Sequence, residues 1–534
     1  MILSGPGASD DMAGFELEEM DVAGGVMPPV AKGGRRMVTT ALLLAMAVVA
    51  LEQTVVSTAM PSIIAQLKGM DIYPWVFSAY LLASTVTTPV YGKLADVWGR
   101  KRVLLFGLTL FAAGSAMSGR AESMPELIAM RVVQGLGAGA VGPIVLTLLG
   151  DLFSLEERAR VQGLFSAVWG ISSVAGPWLG GILTDHLSWR WVFYVTLPFA
   201  GVAAWVLARH VREDVRHDKT SPIDWAGAGL LASGSTLLLL AILRGPSASM
   251  ASGVVLMAAS LVLLGLFVAV ERRAVDPILP LDLFANGPIA AAVVVSFLIG
   301  VQLFGIDTYV PLYVQGVLGG KATEAGEVIT PLFLSWALSV AVAAKVVVRF
   351  GFRATGVVGM GMVALGVAGL ALGADRPASA PMAFKWSLVV TGLGFGPASL
   401  SCILGVQNAV DWNRRGAATG AVTFTRVLGG AMGVGVLGAS LAFEFARRLA
   451  SAGAGGIDVV AALRPETHEL LSPAQLQLVQ GALGRTLRDV FLLMLALAVV
   501  AIPCAARLAA GRAVSRVEPA PTPGEGLALA ASEA

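Results

Sequence analysis

Four charged side chains stand inside stretches otherwise too apolar to hold them. They are Glu52 in "VVALEQTVVSTAMP" (48–61), Arg131 in "IAMRVVQGLGAG" (128–139), Asp307 in "LFGIDTYVPLY" (303–313) and Arg426 in "FTRVLGGAMG" (424–433). A charged group at the centre of a membrane helix costs about 2.5–3.5 kcal/mol on insertion scales, so such residues face a water-filled cavity or one another. Their chemistry differs by type. A carboxyl cut off from bulk water can load and release a proton, whereas a guanidinium stays charged and can only tune a neighbouring acid or hold a hydrogen-bond network. Glu52 is thus either a proton site or a helix-packing device bonded to neighbouring backbone. Arg131 is a partner of such a site or an inter-helix tether. Asp307 either binds protons or attracts a cationic substrate, charge opposing charge at low dielectric, or else is a helix-end residue near the outer surface.

The elements that must position these groups are membrane spans. The 534 residues are 56% hydrophobic and only 13% charged, against roughly a quarter charged in a soluble globule. Runs of about 20 apolar residues, enough to cross a hydrocarbon core of roughly 30 Å, occur about fourteen times. They fall near 37–67, 72–95, 102–120, 124–150, 158–184, 190–208, 224–243, 252–270, 289–316, 326–348, 355–373, 384–409, 417–442 and 488–508. Lys and Arg divide between alternate loops roughly 23 to roughly 12, which places both termini on the cytoplasmic side. The acidic opening (1–36) lacks the basic n-region of a signal peptide. Residues 443–487 form an outer loop, in which Ser472 and Pro473 predict the start of a short surface helix, and 510–534 read as a disordered cytoplasmic tail.

Enzymatic and nucleic-acid functions find no support. Basic residues are spread over many short loops without forming a patch, so no nucleic acid is expected as a partner. The histidines His186, His210, His217 and His468 fall in loops, and Cys402 and Cys504 in apolar runs. Neither set makes a metal site or a nucleophilic centre, and no cofactor is expected. "GAGAVG" (137–142) has the spacing of a dinucleotide loop but lies within a span and does not follow a strand. "GVLGGKA" (316–322) is one residue short of a phosphate loop.

The chain also repeats itself. "GKLADVWGRKR" (92–102) resembles "AKVVVRFGFR" (344–353), aligning Lys93 with Lys345, Gly99 with Gly351 and Lys101 with Arg353. "QGLGAG" (134–139) resembles "TGLGFG" (391–396) at nearly the same offset. Two six-helix halves and two extra central helices account for the spans, with boundaries 37–211, 212–286 for the extra pair and its cytoplasmic linkers, and 287–509.

At "YGKLADVWGRKRV" the chain resembles the major facilitator superfamily, whose loop between the second and third helices carries this signature in Gly92, Asp96, Gly99, Arg100 and Lys101. "GISSVAGPWLGG" (170–181), with Gly170, Gly176, Pro177, Gly180 and Gly181, is similar to the fifth-helix antiporter motif, and "LEQTVVSTAMP" to the first helix of the 14-helix drug:proton antiporters. The likeness extends over about 37 to 510 through "SWRWVFYVTLPF", "YVPLYVQGVLG" and "FTRVLGGAMGVGVLGA". It implies an all-α polytopic membrane protein with two pseudo-symmetric six-helix bundles. The implied activity is proton-coupled export of amphipathic or cationic drugs by alternating access, from a bacterial plasma membrane, by a chain functional as a monomer in contact with lipid and protons. Glu52, Arg131 and Asp307 are the expected proton-coupling residues; the family carries Asp where Glu52 stands, so the chemistry is kept and the reach changed. Asp96 is expected to latch the inner side by capping the helix that starts near Arg415 and Gly416. Phe165, Trp169, Phe304, Tyr309, Gln407, Phe424 and Arg426 are the expected cavity residues, suited to amphipathic molecules, although most of them read equally as bundle core or interface belt. The alternatives are an exporter of an endogenous lipid, siderophore or self-made antibiotic and, more remotely, a membrane-embedded lipid-modifying enzyme.

Overall fold

A computed structural model describes residues 32–70, 72–152, 155–211, 224–242, 250–274, 277, 281–410, 414–452 and 472–510. The side chains of residues 32–35, Lys93, Asp96, Gly150–Leu152, 155–163, Ser166, Met250, Gly416 and Ala417 also fall outside this description. The described residues are helical, with no strand among them. Their α-helices are α1 (Lys32–Leu67), α2 (Pro74–Trp98), α3 (Arg100–Ser118), α4 (Met124–Leu152), α5 (Leu155–His186), the single turn α6 (Trp191–Tyr194), α7 (Thr196–His210), α8 (Trp225–Ile242), α9 (Met250–Glu271), α10 (Gly287–Gly316), α11 (Ala322–Ala374), α12 (Ala380–Asn408), α13 (Arg415–Ser451) and α14 (Pro473–Ala505). By length and composition, 10 helical stretches among the described residues are long and apolar enough to cross a membrane.

At 53 residues, α11 would be about 80 Å long if straight, far more than one crossing. It breaks at Gly351, whose φ of 85° lies where only glycine is unstrained. Gly99, the residue aligned with it, separates α2 from α3 at φ 96°. The repeat seen in the sequence is therefore a repeat of backbone geometry. Contacts beside the two turns match as well: Lys101 Nζ donates to the Ala208 and Val211 carbonyls at the end of α7, 2.7 and 2.6 Å away, and Arg353 Nε donates to the Leu508 carbonyl after α14 at 3.3 Å. Both cations satisfy carbonyls that a helix end leaves without partners.

Packing follows the same plan twice. In the first half α1 lies on α5 and α7, and α4 on α2 and α3; in the second, α10 lies on α13 and α14, and α12 on the two parts of α11. The halves meet where α5 crosses α11, α2 crosses α13 and α1 crosses α10. Helices α8 and α9 pair with each other, and α8 leans on α2 and α13.

The far end departs from expectation. Ser472 does cap a helix, accepting from Gln475 N while Gln475 Oε1 accepts from Ser472 N, and Pro473 opens it. That helix is not a short surface piece, since α14 runs on through the last apolar run to Ala505. With α13 reaching Ser451, the expected outer loop 443–487 shrinks to the residues between the two helices, and of these 453–471 lie outside the described residues. Where α13 outlasts its apolar segment its charges are matched, Arg448 bonding Glu444 at 2.8 Å and Asp489 of α14 at 2.5 Å. Likewise His186 and His210 end helices α5 and α7 and do not sit in loops. The acidic tail 1–31, the tail 511–534, His217 and His468 lie outside the described residues.

Candidate functional site

Glu52 and Arg131 are brought together. Both are buried, and Arg131 Nη1 donates to Glu52 Oε1 and, at 2.7 Å, to Gln134 Oε1. Arg131 Nε donates to the Val76 carbonyl on α2 at 3.1 Å, and the guanidinium lies over the Tyr80 ring, 4.1 Å from its centroid. From Gln134 the network continues through Nε2 to Ser115 Oγ at 3.2 Å, then to Thr196 Oγ1 and the Phe193 carbonyl. One polar chain thus links α1, α2, α4, α3 and α7 in an otherwise apolar bundle. The helices that carry it sit close because glycines face their neighbours: a Cβ at Gly114 would lie 2.5 Å from Gln134 N. Glu52 Oε2, by contrast, is buried without a hydrogen-bond partner among the described residues.

Asp307 is not part of this cluster. It is buried on α10 within hydrogen-bonding reach of Ser57 on α1, about one and a half turns along from Glu52, and its Oδ1 has no partner among the described residues. The helix-end alternative does not describe it, for α10 continues to Gly316.

The residues expected to line a cavity divide. Trp169, Gln407, Phe424 and Arg426 are half-buried. Gln407 Nε2 donates to Thr419 Oγ1 at 3.0 Å, tying α12 to α13. Phe165 is buried in the first bundle and Phe304 is packed on Gly430. Tyr309 is fully buried, its hydroxyl donating to the Val434 carbonyl and its ring edge-on to Tyr73. In this conformation Tyr309 holds α10 against α13 and α2, and does not line open space.

The fifth-helix motif packs α5 both within its own half and against the other. Gly176 and Gly180 press on Thr54, Val55 and Thr58 of α1, and a Cβ at Gly181 would lie 2.5 Å from Thr323 Cα. Pro177 offers its carbonyl side to Gly326. Farther along, contact fades, since a Cβ at Gly170 would meet only Ala337, at 3.9 Å. The α2–α13 crossing loosens in the same direction: Ser78 Oγ donates to the Ala431 carbonyl at 2.8 Å and Pro74 abuts Gly438, while a Cβ at Gly92 would meet nothing within 4 Å. Both crossings are therefore sealed at the face remote from the Gly99 turn and parted towards it.

One residue of the seam escaped the sequence. Asp185 accepts from Ala322 N at 3.1 Å, Thr323 N at 2.9 Å and Thr323 Oγ1 at 2.5 Å, so the first half caps α11 of the second. An acid in the last turn of α5 is disfavoured by that helix's own dipole, and this misfit was the available signal. The expected cap by Asp96 lies outside the described residues. Arg415 instead shows a bond from its Nε to the Gln407 carbonyl at 3.0 Å.

Two helical bundles of one plan, parted at one face and sealed at the other around buried charge, define a transporter and not an enzyme. The sequence matches the Major Facilitator Superfamily over residues 42–434, and the chain belongs to that family. It is 36% identical over 410 residues to the multidrug transporter protein MdtP of Bacillus subtilis (strain 168), covering 76% of this chain and 75% of that one. Multidrug resistance protein 3 of the same organism is 32% identical over 475 residues, 86% of this chain and 92% of the relative. The fold is similar to the crystal structure of a bacterial homolog of the human lysosomal transporter Spinster in its inward-facing, unoccupied conformation, with TM-score 0.65 and 14% identity over 90% of this chain and 98% of that one.

Proposed function

We propose that the protein exports amphipathic or cationic drugs across a bacterial plasma membrane in exchange for protons, as a monomer of fourteen crossings with both termini cytoplasmic. Helices α6 and α7 together make one crossing and α11 makes two. The Gly99 face is the cytoplasmic one, so the structure is an inward-open state of an alternating-access cycle, in keeping with the inward-facing fold it is similar to. Drug-exporting relatives support the substrate class.

The observation that carries the coupling is the buried Glu52–Arg131 pair with Glu52 Oε2 left over. When Glu52 is ionised it neutralises Arg131. When it takes a proton, Arg131 loses its counter-charge while still buried, and an uncompensated buried charge costs about 3–5 kcal/mol. That energy is relieved only if the network rearranges, which couples protonation to helix position. Inward movement of one proton releases about 2.3 kcal/mol per 100 mV and about 1.4 kcal/mol per pH unit. For a monovalent cation exchanged one for one the electrical part cancels, and the pH gradient alone drives export.

Wild type and Glu52→Gln, reconstituted into liposomes under an imposed pH gradient, test this through ethidium movement and luminal pH recorded together. The expected result is coupled flux in the wild type and its loss in the variant. Unchanged coupled flux in Glu52→Gln removes Glu52 from the mechanism and moves attention to Asp307.

A further inference from the structure

Arg426 presents an unused binding edge. Its Nε and Nη2 are buried and have no hydrogen-bond partner among the described residues, although the residue as a whole is partly exposed. These two nitrogens form the side of the planar guanidinium that grips a carboxylate through two parallel N–H···O bonds. Leaving such a pair of donors unmade costs more than making the bonds returns, so the arrangement calls for an acceptor.

The described residues supply none. Glu52 is engaged by Arg131. Asp307 lies beside Ser57, about 10 Å of helix rise beyond Gly300, the residue packed against the Arg426 carbonyl. What surrounds the guanidinium is small and neutral: Cys402 is within electrostatic reach and Ser296 is beside that thiol. Ser399, one turn from Cys402 on the same face of α12, also has a hydroxyl without a partner. On α13 itself Phe424 is half-buried, and on α10 Phe304 packs one turn above, at Gly430.

We propose that Arg426 is the receptor for a carboxylate carried by an amphipathic substrate, whose apolar body lies against Phe304 and Phe424. The second half then selects acidic or zwitterionic amphiphiles by a two-point grip, while the first half handles the proton. This rests on the export reading of the same central region.

A rhodamine with a free carboxylate and its methyl ester form a suitable probe pair, because they differ only in that acid. Binding of each to the solubilised full-length protein, followed by fluorescence anisotropy, gives an acid-to-ester affinity ratio. The ratio is expected to favour the acid in wild type, to fall at least tenfold in Arg426→Gln, and to fall partly in Arg426→Lys, which keeps the charge but not the fork. A ratio that ignores both substitutions overturns the proposal. So does a ratio that collapses when chloride replaces methanesulfonate, which would assign the edge to an inorganic anion. Since binding is read without a gradient, a responsive ratio in protein that moves no protons upholds the site and sinks the coupling. Coupled flux with an unresponsive ratio sinks the site alone.

Discussion

The two halves share a backbone plan but treat their buried charges in opposite ways. In the first, Arg131 is bonded to Glu52, Gln134 and the Val76 carbonyl and rests on Tyr80. In the second, Arg426 Nε and Nη2 and Asp307 Oδ1 have no hydrogen-bond partner among the described residues. The turns that set the helices are nevertheless alike, Gly99 with Gly351 and Lys101 with Arg353. Duplication has preserved the geometry and released the chemistry. A half whose charges cancel internally responds to a single proton; one whose charges do not cancel needs an acceptor that the described residues do not provide.

The largest effect should come from breaking the cancelled pair. Glu52→Ala strands Arg131 and should lower unfolding stability by about 3–5 kcal/mol, while Glu52→Ala with Arg131→Met should recover most of that loss without restoring proton uptake. Denaturant unfolding of the single and double variants in detergent gives the coupling energy directly. Additive losses would show that the pair does not hold the bundle together.

The second half should respond with the opposite sign. Arg131→Met leaves Glu52 uncompensated and destabilises. Arg426→Met removes donors that have no acceptor among the described residues, and should leave stability unchanged or raise it by about 1–3 kcal/mol in the absence of substrate. Unfolding midpoints of the two variants, measured side by side, decide the matter. If Arg426→Met destabilises as much as Arg131→Met does, the guanidinium has a partner within the fold and the contrast between the halves disappears.

Much of this contrast was legible in the sequence, and unevenly so. Spans were readable because a bilayer tolerates few charges, and that same rule made Glu52, Arg131, Asp307 and Arg426 conspicuous. Which charge meets which was not readable, because it depends on how helices rotate and cross. Glu52 meets Arg131 across about 79 residues of chain only because α1 and α4 pack side by side. The aromatic cavity residues were the least legible. Tyr309 and Trp169 are the same kind of residue by composition, yet one is sealed in a seam and the other half-buried, a difference set by conformation more than by sequence. The extent of α13 was misread because hydropathy ends where charge pairing takes over, at Glu444 and Arg448, and that of α14 because the cap at Ser472 opens the same helix that carries the last apolar run.

The smallest effect expected is on the seam, where both halves contribute. Asp185 replaces for α11 the cap that Lys321 does not provide, reaching two backbone N–H groups and the Thr323 hydroxyl. A carboxylate at a helix N-terminus also gains from the macrodipole. These bonds exist only while the Asp185 face is shut, so they stabilise that state against its alternative and leave each bundle intact. Losing a cap of this kind costs about 0.5–2 kcal/mol, or about 2- to 30-fold in a two-state population. Asp185→Ala should therefore raise the fraction open at this face by such a factor, read as a distance shift between spin labels on α5 and α11 placed away from the seam glycines. Gly170 supplies the internal control, since Ala there meets only Ala337 at 3.9 Å and should shift nothing. If Asp185→Ala leaves the populations as they were, the glycine seam alone holds the face closed, and the first half's hold on the second is one of shape without charge.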